Sequence, residues 1–155
     1  MHIKNNKQFP IEIIKPQSLQ RKLNTFTTCA LTEDEVKLFN KVLKCIDNHL
    51  VIDKIDLSTL YTLNVFFIEE EVTFSYENNT GTLGNQFHLA TYRMSKLRNY
   101  NSNVLTAIIF AEELVHYYWR IFDETIVKHK IVEILNDMYP QLTIDDLKKF
   151  GMNGL

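Results

Sequence analysis

The stretch from Asn103 to Phe122 is apolar around almost its whole circumference when it is drawn as a helix. Its apolar positions are Val104, Leu105, Ile108, Ile109, Ala111, Leu114, Val115, Tyr118 and Trp119. A helix with this pattern is stable in water only when neighbouring elements cover it on most sides. We therefore predict a long central helix, capped by Ser102 or Asn103, with the rest of the chain packed around it.

The length and composition predict a single domain with its own core. The chain has 155 residues, 45% of them hydrophobic, and no repeat or linker divides it. Within this domain, 1–155, we expect an N-terminal arm and short helix over 1–31, a core over 32–140 and a short C-terminal helix over 141–155. The net charge of −2 gives no reason to expect nucleic acid as a partner.

The chain shows no sequence feature of a membrane or secreted protein. No apolar run approaches the ~20 residues of a membrane span, and the polar N-terminus has no signal peptide. Cys29 and Cys45 form neither a C-x-x-C pair nor a disulfide framework, and Cys45 lies in a helical pattern typical of a buried free thiol. We expect a cytoplasmic protein with no membrane contact.

Local capping signals predict the other helices. Thr32 and Glu35 have the spacing of a capping box, and Asp123 is a good N-cap residue. Thr143 begins a last short helical pattern, which ends at Gly151. The helices expected besides the central one cover residues 18–26, 33–49, 124–139 and a short segment from 143 onwards.

Segments rich in β-branched and aromatic residues predict the strands. They are Tyr61–Glu71, Val72–Glu77 and Gln86–Arg93, with Ile11–Ile14 as an edge strand or an extended arm. A polar loop is expected over Ser95–Ser102, before the central helix. Helix, three strands, central helix and two further helices make an α+β domain.

The central helix carries the sequence E-E-x-x-H at residues 112–116. Glu112 and His116 are one helical turn apart on the same face, with Glu113 beside them. Two ligands and a neighbouring carboxylate are what a hydrolytic metal site needs. Charges on a buried helix require partners, so these residues predict either a bound metal or an ion pair with a basic side chain.

These features resemble the zincin metallopeptidases, especially the small thermolysin-like type common in phages and mobile elements. The resemblance covers residues 33–140 in element order and five residues in motif, with Glu112 where the family has histidine. It implies a small, mainly antiparallel sheet packed against the motif-bearing helix. It also implies that Gln86–Arg93 is an edge strand that binds the substrate backbone, with His88 and Ala90 as substrate-binding residues.

The resemblance also implies a role for each motif residue. Glu112 and His116 match the first two metal ligands, and Glu113 matches the general base. A third ligand comes from the following helix, where the candidates are His129, which we prefer slightly, Glu124 and Glu133. The cofactor expected is one divalent metal, with zinc first; carboxylate donors also admit manganese or iron and make the ion less electrophilic.

Two functions and several simpler interpretations remain open at this point. The chain is a metal-dependent hydrolase, a peptidase or a degenerate relative of one, or it is a non-catalytic protein that binds a protein partner on a zincin-like scaffold. Glu112 and Glu113 are also explained by solvent exposure and a salt bridge to Arg120 or a lysine. His116 is equally consistent with a hydrogen-bonded core residue, and His129 and His88 with surface positions.

Overall fold

The computed structural model describes residues 2–3, 12–75 and 87–149. Its strands are β1 (His2–Ile3), β2 (Leu23–Thr27), β3 (Leu63–Ile68), β4 (Phe74–Ser75) and β5 (His88–Arg93). Its α-helices are α1 (Glu33–Ile52), α2 (Met94–Asn99), α3 (Asn103–Trp119), α4 (Glu124–Leu135) and α5 (Ile144–Lys149). Short 3-10 turns occur at Gln17–Leu19 and Leu57–Thr59. This mixture of helices and strands agrees with the predicted α+β class.

The main sheet is parallel, and the prediction of a mainly antiparallel sheet is wrong. Its strand order is β2-β3-β5, with Leu23 paired to Leu63 and Leu63 paired to His88. α1 connects β2 to β3, and two neighbouring strands joined through a crossover helix run in the same direction. Among the described strands, β1 and β4 form a separate antiparallel ladder.

The first strand of this sheet lies in a segment that the sequence predicts as helical. Instead of a helix over 18–26, the chain makes a 3-10 turn and then enters β2. Leu23 and Thr27 are buried, and Phe26 stacks on Phe66 of β3 with 4.8 Å between ring centroids. The partners that stabilise β2 lie on β3, forty positions later (Asn24 pairs with Asn64), so no local pattern reveals them.

Three further boundaries differ from the predictions. The loop expected over 95–102 contains α2, because Met94 and Leu97 are buried against the core. α4 ends at Leu135 rather than near 139, and Val72 and Thr73 lie outside the second strand, which begins at Phe74 and is described as far as Ser75. Residues 12–14 form no strand; Ile11, residues 76–77, Gln86 and the expected helix end at Gly151 lie outside the described residues.

α3 is the centre of the core, as predicted. Its fully buried residues are Ala107, Ile108, Phe110, Ala111, Leu114 and Val115. Phe110 joins an aromatic cluster in which the ring of Phe39 on α1 meets Phe67 and Phe110 edge-on, at 4.9 and 5.1 Å. The hydroxyl of Tyr92 donates to the carbonyl of Phe110 at 2.7 Å. This cluster fixes the position of α3 against the sheet.

The predicted helix starts are confirmed by their caps. Thr32 and Glu35 form both hydrogen bonds of the capping box, Ser102 caps α3 and Asp123 caps α4. α1 extends to residue 52, beyond the predicted end at 49. Cys29 and Cys45 are buried free thiols. No helix in the described part of the chain is long and apolar enough to cross a membrane.

Candidate metal centre

The polar residues of the motif occupy a part of α3 that the core does not cover completely. Ala111, Leu114 and Val115 face the core and are fully buried. Glu113 is exposed, while Glu112 and His116 are partly buried. Helical spacing places residues 113, 116, 117 and 120 along one line of the surface. α3 therefore presents its chemically active side chains together, on a rigid support.

A cleft of about 580 Å³ runs between this face of α3 and strand β5. Leu60, Leu63, Leu89 and Phe122 give it mainly apolar walls. Glu113, His116 and Arg120 line the cleft beside them. Concave, largely apolar sites with a few polar groups are the usual form of a ligand-binding pocket.

Glu112, His116 and Glu124 each bring one donor atom to within 4.8 Å of the other two. Nε2 of His116 lies 3.5 Å from a carboxylate oxygen of Glu124. Two ligands about 2.1 Å from a tetrahedral ion are about 3.4 Å apart, so this distance suits a shared metal. Glu124 is the first residue of α4, directly after its cap at Asp123. The turn between the two helices places it beside His116 of α3.

The other ring nitrogen of His116 fixes the orientation of the imidazole and the tautomer of its neutral form. Nδ1 lies 2.7 Å from the carbonyl oxygen of Ile121. A carbonyl can only accept a hydrogen bond, so Nδ1 carries a proton. In the neutral form of the ring, this leaves the lone pair of Nε2 on the side of Glu124. Histidines that bind metals are commonly held in this way, through the second nitrogen.

The carboxylates around His116 form no salt bridge with a lysine or arginine of the described residues. No lysine or arginine in the described ranges forms an ion pair with Glu112 or Glu113, and Arg120 donates to the carbonyl of Thr59 instead. Burial raises the pKa of Glu112, and the charges of Glu113 and Glu124 raise it further, against smaller opposing effects of His116 and Lys128. A cation at this point would relieve the repulsion among the three carboxylates.

The structure does not bring the preferred third ligand to this group. His129 is exposed on α4 and belongs to no cluster of potential ligands in the described chain, whereas Glu124 does. Glu133, the remaining candidate, lies in a second group with His49 and Asp53. Which residue of α4 faces α3 depends on the angle and spacing of the two helices, and sequence spacing does not contain that information.

In the second group of potential ligands, a lysine already pairs with the carboxylates. Nζ of Lys130 lies 2.5 Å from Asp53 and 2.9 Å from Glu133. Nδ1 of His49 is 3.5 Å from Glu133, and its Nε2 is 3.6 Å from Asp137. The described residues thus include two sets of donors close enough to hold a metal ion, but in this one an ammonium group takes the position of the cation.

The two residues predicted on the substrate side both line the cleft. His88 stacks on Tyr61, with 5.5 Å between ring centroids, and also contacts Tyr117. Its Nε2 is buried and has no hydrogen-bond partner among the described residues. Ala90 follows on the same face of β5. β5 is the last strand in the order β2-β3-β5, so it is an edge strand of this sheet, as predicted.

Sequence reasoning did not find three contributors to this region as parts of the site. The carbonyl of Ile121 holds His116, and Tyr117 and Arg120 line the cleft beside it. The spacing of Glu113, His116, Tyr117 and Arg120, at i, i+3, i+4 and i+7, was the available signal for the side chains. No side-chain pattern marks a backbone carbonyl.

Comparison with known protein families, curated proteins and solved structures finds no match to this chain. The geometry of the Glu112–His116–Glu124 group and of the adjoining cleft therefore carries the functional argument.

Proposed function

We propose that the chain is a zincin-like metal-dependent hydrolase that acts on peptides. The observation that carries this proposal is the convergence of Glu112, His116 and Glu124 beside a cleft that also contains Glu113. Donor atoms from two helices lie within 4.8 Å of one another, with 3.5 Å between His116 and Glu124, and the imidazole is oriented from its far side by Ile121. Both features support a metal centre more specifically than the motif does.

The donor set fits one divalent metal. Glu112, His116 and Glu124 would hold it, and the two carboxylates make zinc, manganese and iron all suitable ions. When bound, the ion would supply Lewis acidity for attack on a carbonyl group. The raised pKa of Glu112 has its main cause in burial, and coordination would stabilise the ionised form of that carboxylate.

Glu113 is suited to the role of general base. It follows a proposed ligand directly, lines the cleft and has no ion-pair partner in the described chain, so its carboxylate is available to accept a proton. A base must reach the reacting group at hydrogen-bond distance. Its position one residue from Glu112, on the cleft side of the same helix, supports this role for a substrate bound next to the metal.

The substrate would be an extended peptide added to the outer edge of β5. Residues 87–90, at the start of this strand, line the cleft, and backbone hydrogen bonds to an edge strand are a common means of binding peptides. His88 and Ala90 line the cleft beside this strand, and the small side chain of Ala90 leaves room for the substrate.

The test of this proposal is the metal content of the purified protein. We expect about one equivalent of a divalent metal in the wild type and its loss in His116→Ala. His129→Ala is the matched control, because it removes an exposed histidine outside the group. Elemental analysis that finds no bound metal in the wild type, or equal content in all three proteins, would refute the proposal.

A second candidate function is favoured by the apolar rim of the cleft. Phe122 is 86% exposed, and Tyr61, Phe87 and Leu89 are also well exposed. Exposed apolar groups that cluster in this way are typical of protein-binding surfaces. The chain would then be a non-catalytic protein that holds a protein partner in this cleft and uses the zincin-like scaffold only as support.

Glu113→Gln separates the two functions, because it removes a base but changes neither the shape nor the apolar rim. As a hydrolase, the protein should lose peptide cleavage by about a hundredfold or more. As a binding protein, it should retain its partner after Glu113→Gln and lose it after Phe122→Ser. The unfolding midpoint of both variants, compared with the wild type, controls for damage to the fold.

A further inference from the structure

Arg120 places a positive charge in the wall of the cleft, two helical turns from Glu113. It is the residue immediately after α3, and it lines the same cleft as Glu113 and His116. Seven residues of helix correspond to about 10 Å along the axis. The cationic end of the cleft is therefore distinct from the position of the proposed base.

The backbone of Arg120 is left-handed, with φ 53° and ψ 38°. Helices often end in this conformation, and the residue found there is usually glycine because a side chain disfavours it. The turn itself is needed, since the carbonyl that orients His116 belongs to the next residue, Ile121. Glycine would make the same turn at lower cost, so the arginine side chain needs a separate explanation.

The guanidinium group of Arg120 has most of its hydrogen-bonding capacity unused. One nitrogen donates to the carbonyl of Thr59 at 3.1 Å, and no carboxylate in the described residues pairs with it. Arg98 provides a contrast within the same chain, because it donates to Glu35, to Glu69 and to a backbone carbonyl. Arg98 has a structural role, whereas Arg120 keeps donors free beside an apolar cavity.

Free guanidinium donors beside apolar walls are well suited to bind a carboxylate. An arginine can pair with a carboxylate through two parallel hydrogen bonds, and apolar surroundings strengthen such bonds. Leu60, Leu89 and Phe122 supply those surroundings.

We propose that Arg120 binds a carboxylate of the ligand, so that the cleft selects apolar peptide segments that end in a carboxylate close to the motif. This inference rests on the proposed hydrolytic function and names its substrate class. Consecutive residues of a peptide advance by about 3.5 Å. If the scissile bond of the peptide lies next to His116, a carboxylate one or two peptide residues away would lie near Arg120. Arg120 follows His116 by four residues in the protein chain.

The test measures binding to the full-length protein carrying Glu113→Gln, in which turnover is suppressed. The probes are N-acetyl-Leu-Phe with a free carboxylate, the same peptide as its amide, and an amide-capped peptide with aspartate in second place. We expect the free acid to bind more tightly than the amide. Arg120→Asn should weaken binding of the acid about tenfold to a hundredfold and leave the amide unchanged.

Lys54→Asn is the matched control for Arg120→Asn. Lys54 is also a basic, exposed residue in the left-handed region, with φ 54°, and it lies outside the cleft. Asparagine tolerates this conformation, so neither substitution should lower the unfolding midpoint appreciably. Lys54→Asn should leave the affinity for all three peptides unchanged.

The possible outcomes separate this inference from the proposed function. Equal affinity for acid and amide, no binding of either, or no effect of Arg120→Asn would overturn it, while metal content and the Glu113→Gln rate would still test the hydrolase. A lower unfolding midpoint without a change in affinity would mean that Arg120 serves only to hold Thr59. Tight binding of the aspartyl amide would identify a side chain, rather than the chain end, as the source of the carboxylate.

Discussion

Glu112 differs from its neighbour Glu113 mainly in its surroundings. Glu112 is partly buried and has a raised pKa, caused first by burial and then by the charges of Glu113 and Glu124. Glu113 is exposed on the cleft side. Two carboxylates side by side thus have environments that suit different tasks: one would bind a cation, and the other would accept a proton.

Replacing Glu112 by histidine should change the preferred metal. An imidazole nitrogen is a softer donor than a carboxylate oxygen, so Glu112→His should raise the affinity for zinc relative to manganese by about tenfold or more. Competitive titration with the two ions measures this ratio. Glu71→His, at an exposed position outside both groups of potential ligands, should leave it unchanged; an unaltered ratio in Glu112→His would mean that residue 112 is not a ligand.

At the scale of elements, α1 and α4 are joined by the cluster around Lys130. Its ammonium group bridges Asp53, just after α1, and Glu133 on α4, and the same Asp53 oxygen accepts from the indole of Trp119 on α3. Only 11% of the Lys130 side chain is exposed. Three helices therefore depend on one charged group that is largely shielded from water.

Removing this charge should destabilise the protein more than removing a surface charge. Lys130→Met leaves Asp53 and Glu133 without a counter-charge and should lower the free energy of unfolding by about 2 kcal/mol. Lys148→Met breaks an exposed pair with Asp145 and should change it by less than about 0.5 kcal/mol. Urea denaturation of both variants tests the difference, and equal values would show that the cluster adds no stability.

Elements with local signals could be predicted from the sequence, and elements that depend on distant partners could not. The capping box at Thr32 and the cap at Asp123 fixed two helix starts, because a cap involves residues within one turn. β2 and α2 were missed. β2 needs its partner strand β3, and α2 is stable because Met94 and Leu97 enter the core.

The same distinction applies to the candidate site. Residues of one helix could be grouped in advance, since 112 and 116 must share a face. The third donor could not be chosen, because the packing of α4 against α3 decides whether Glu124 or His129 faces the other two donors. The parallel direction of the strands could likewise not be predicted from the sequence, since pairing is a property of the assembled sheet.

At the scale of the whole molecule, Arg98 links segments that are far apart in the chain. It donates from α2 to Glu35 near the start of α1, to Glu69 after β3 and to the carbonyl of Ala30. Burial acts to raise the pKa of Glu35, but hydrogen bonds from Arg98 and from the backbone of Thr32 outweigh it and lower the pKa. The folded state therefore favours the ionised form of Glu35.

This link predicts a loss of stability in acid. A carboxylate whose pKa is lower in the folded state stabilises the fold fully above its ordinary value of 4.5, and the contribution is lost as the pH falls through the folded value. Urea midpoints between pH 7 and pH 3 should fall less steeply for Glu35→Gln than for the wild type. Parallel curves would show that Glu35 does not couple folding to protonation.

The four residues that join α3 to α4 restrict how this protein can vary in length. Arg120–Asp123 make the reversal that returns the Ile121 carbonyl to His116 and starts α4 with Glu124 in reach of it. Val127 and Ile131 are buried and fix the orientation of α4 about its axis. A residue inserted between the helices would therefore have to be accommodated within the turn. Homologues that keep the contacts of His116 with Ile121 and Glu124 should therefore carry no insertions or deletions in this turn, while surface loops elsewhere can vary in length.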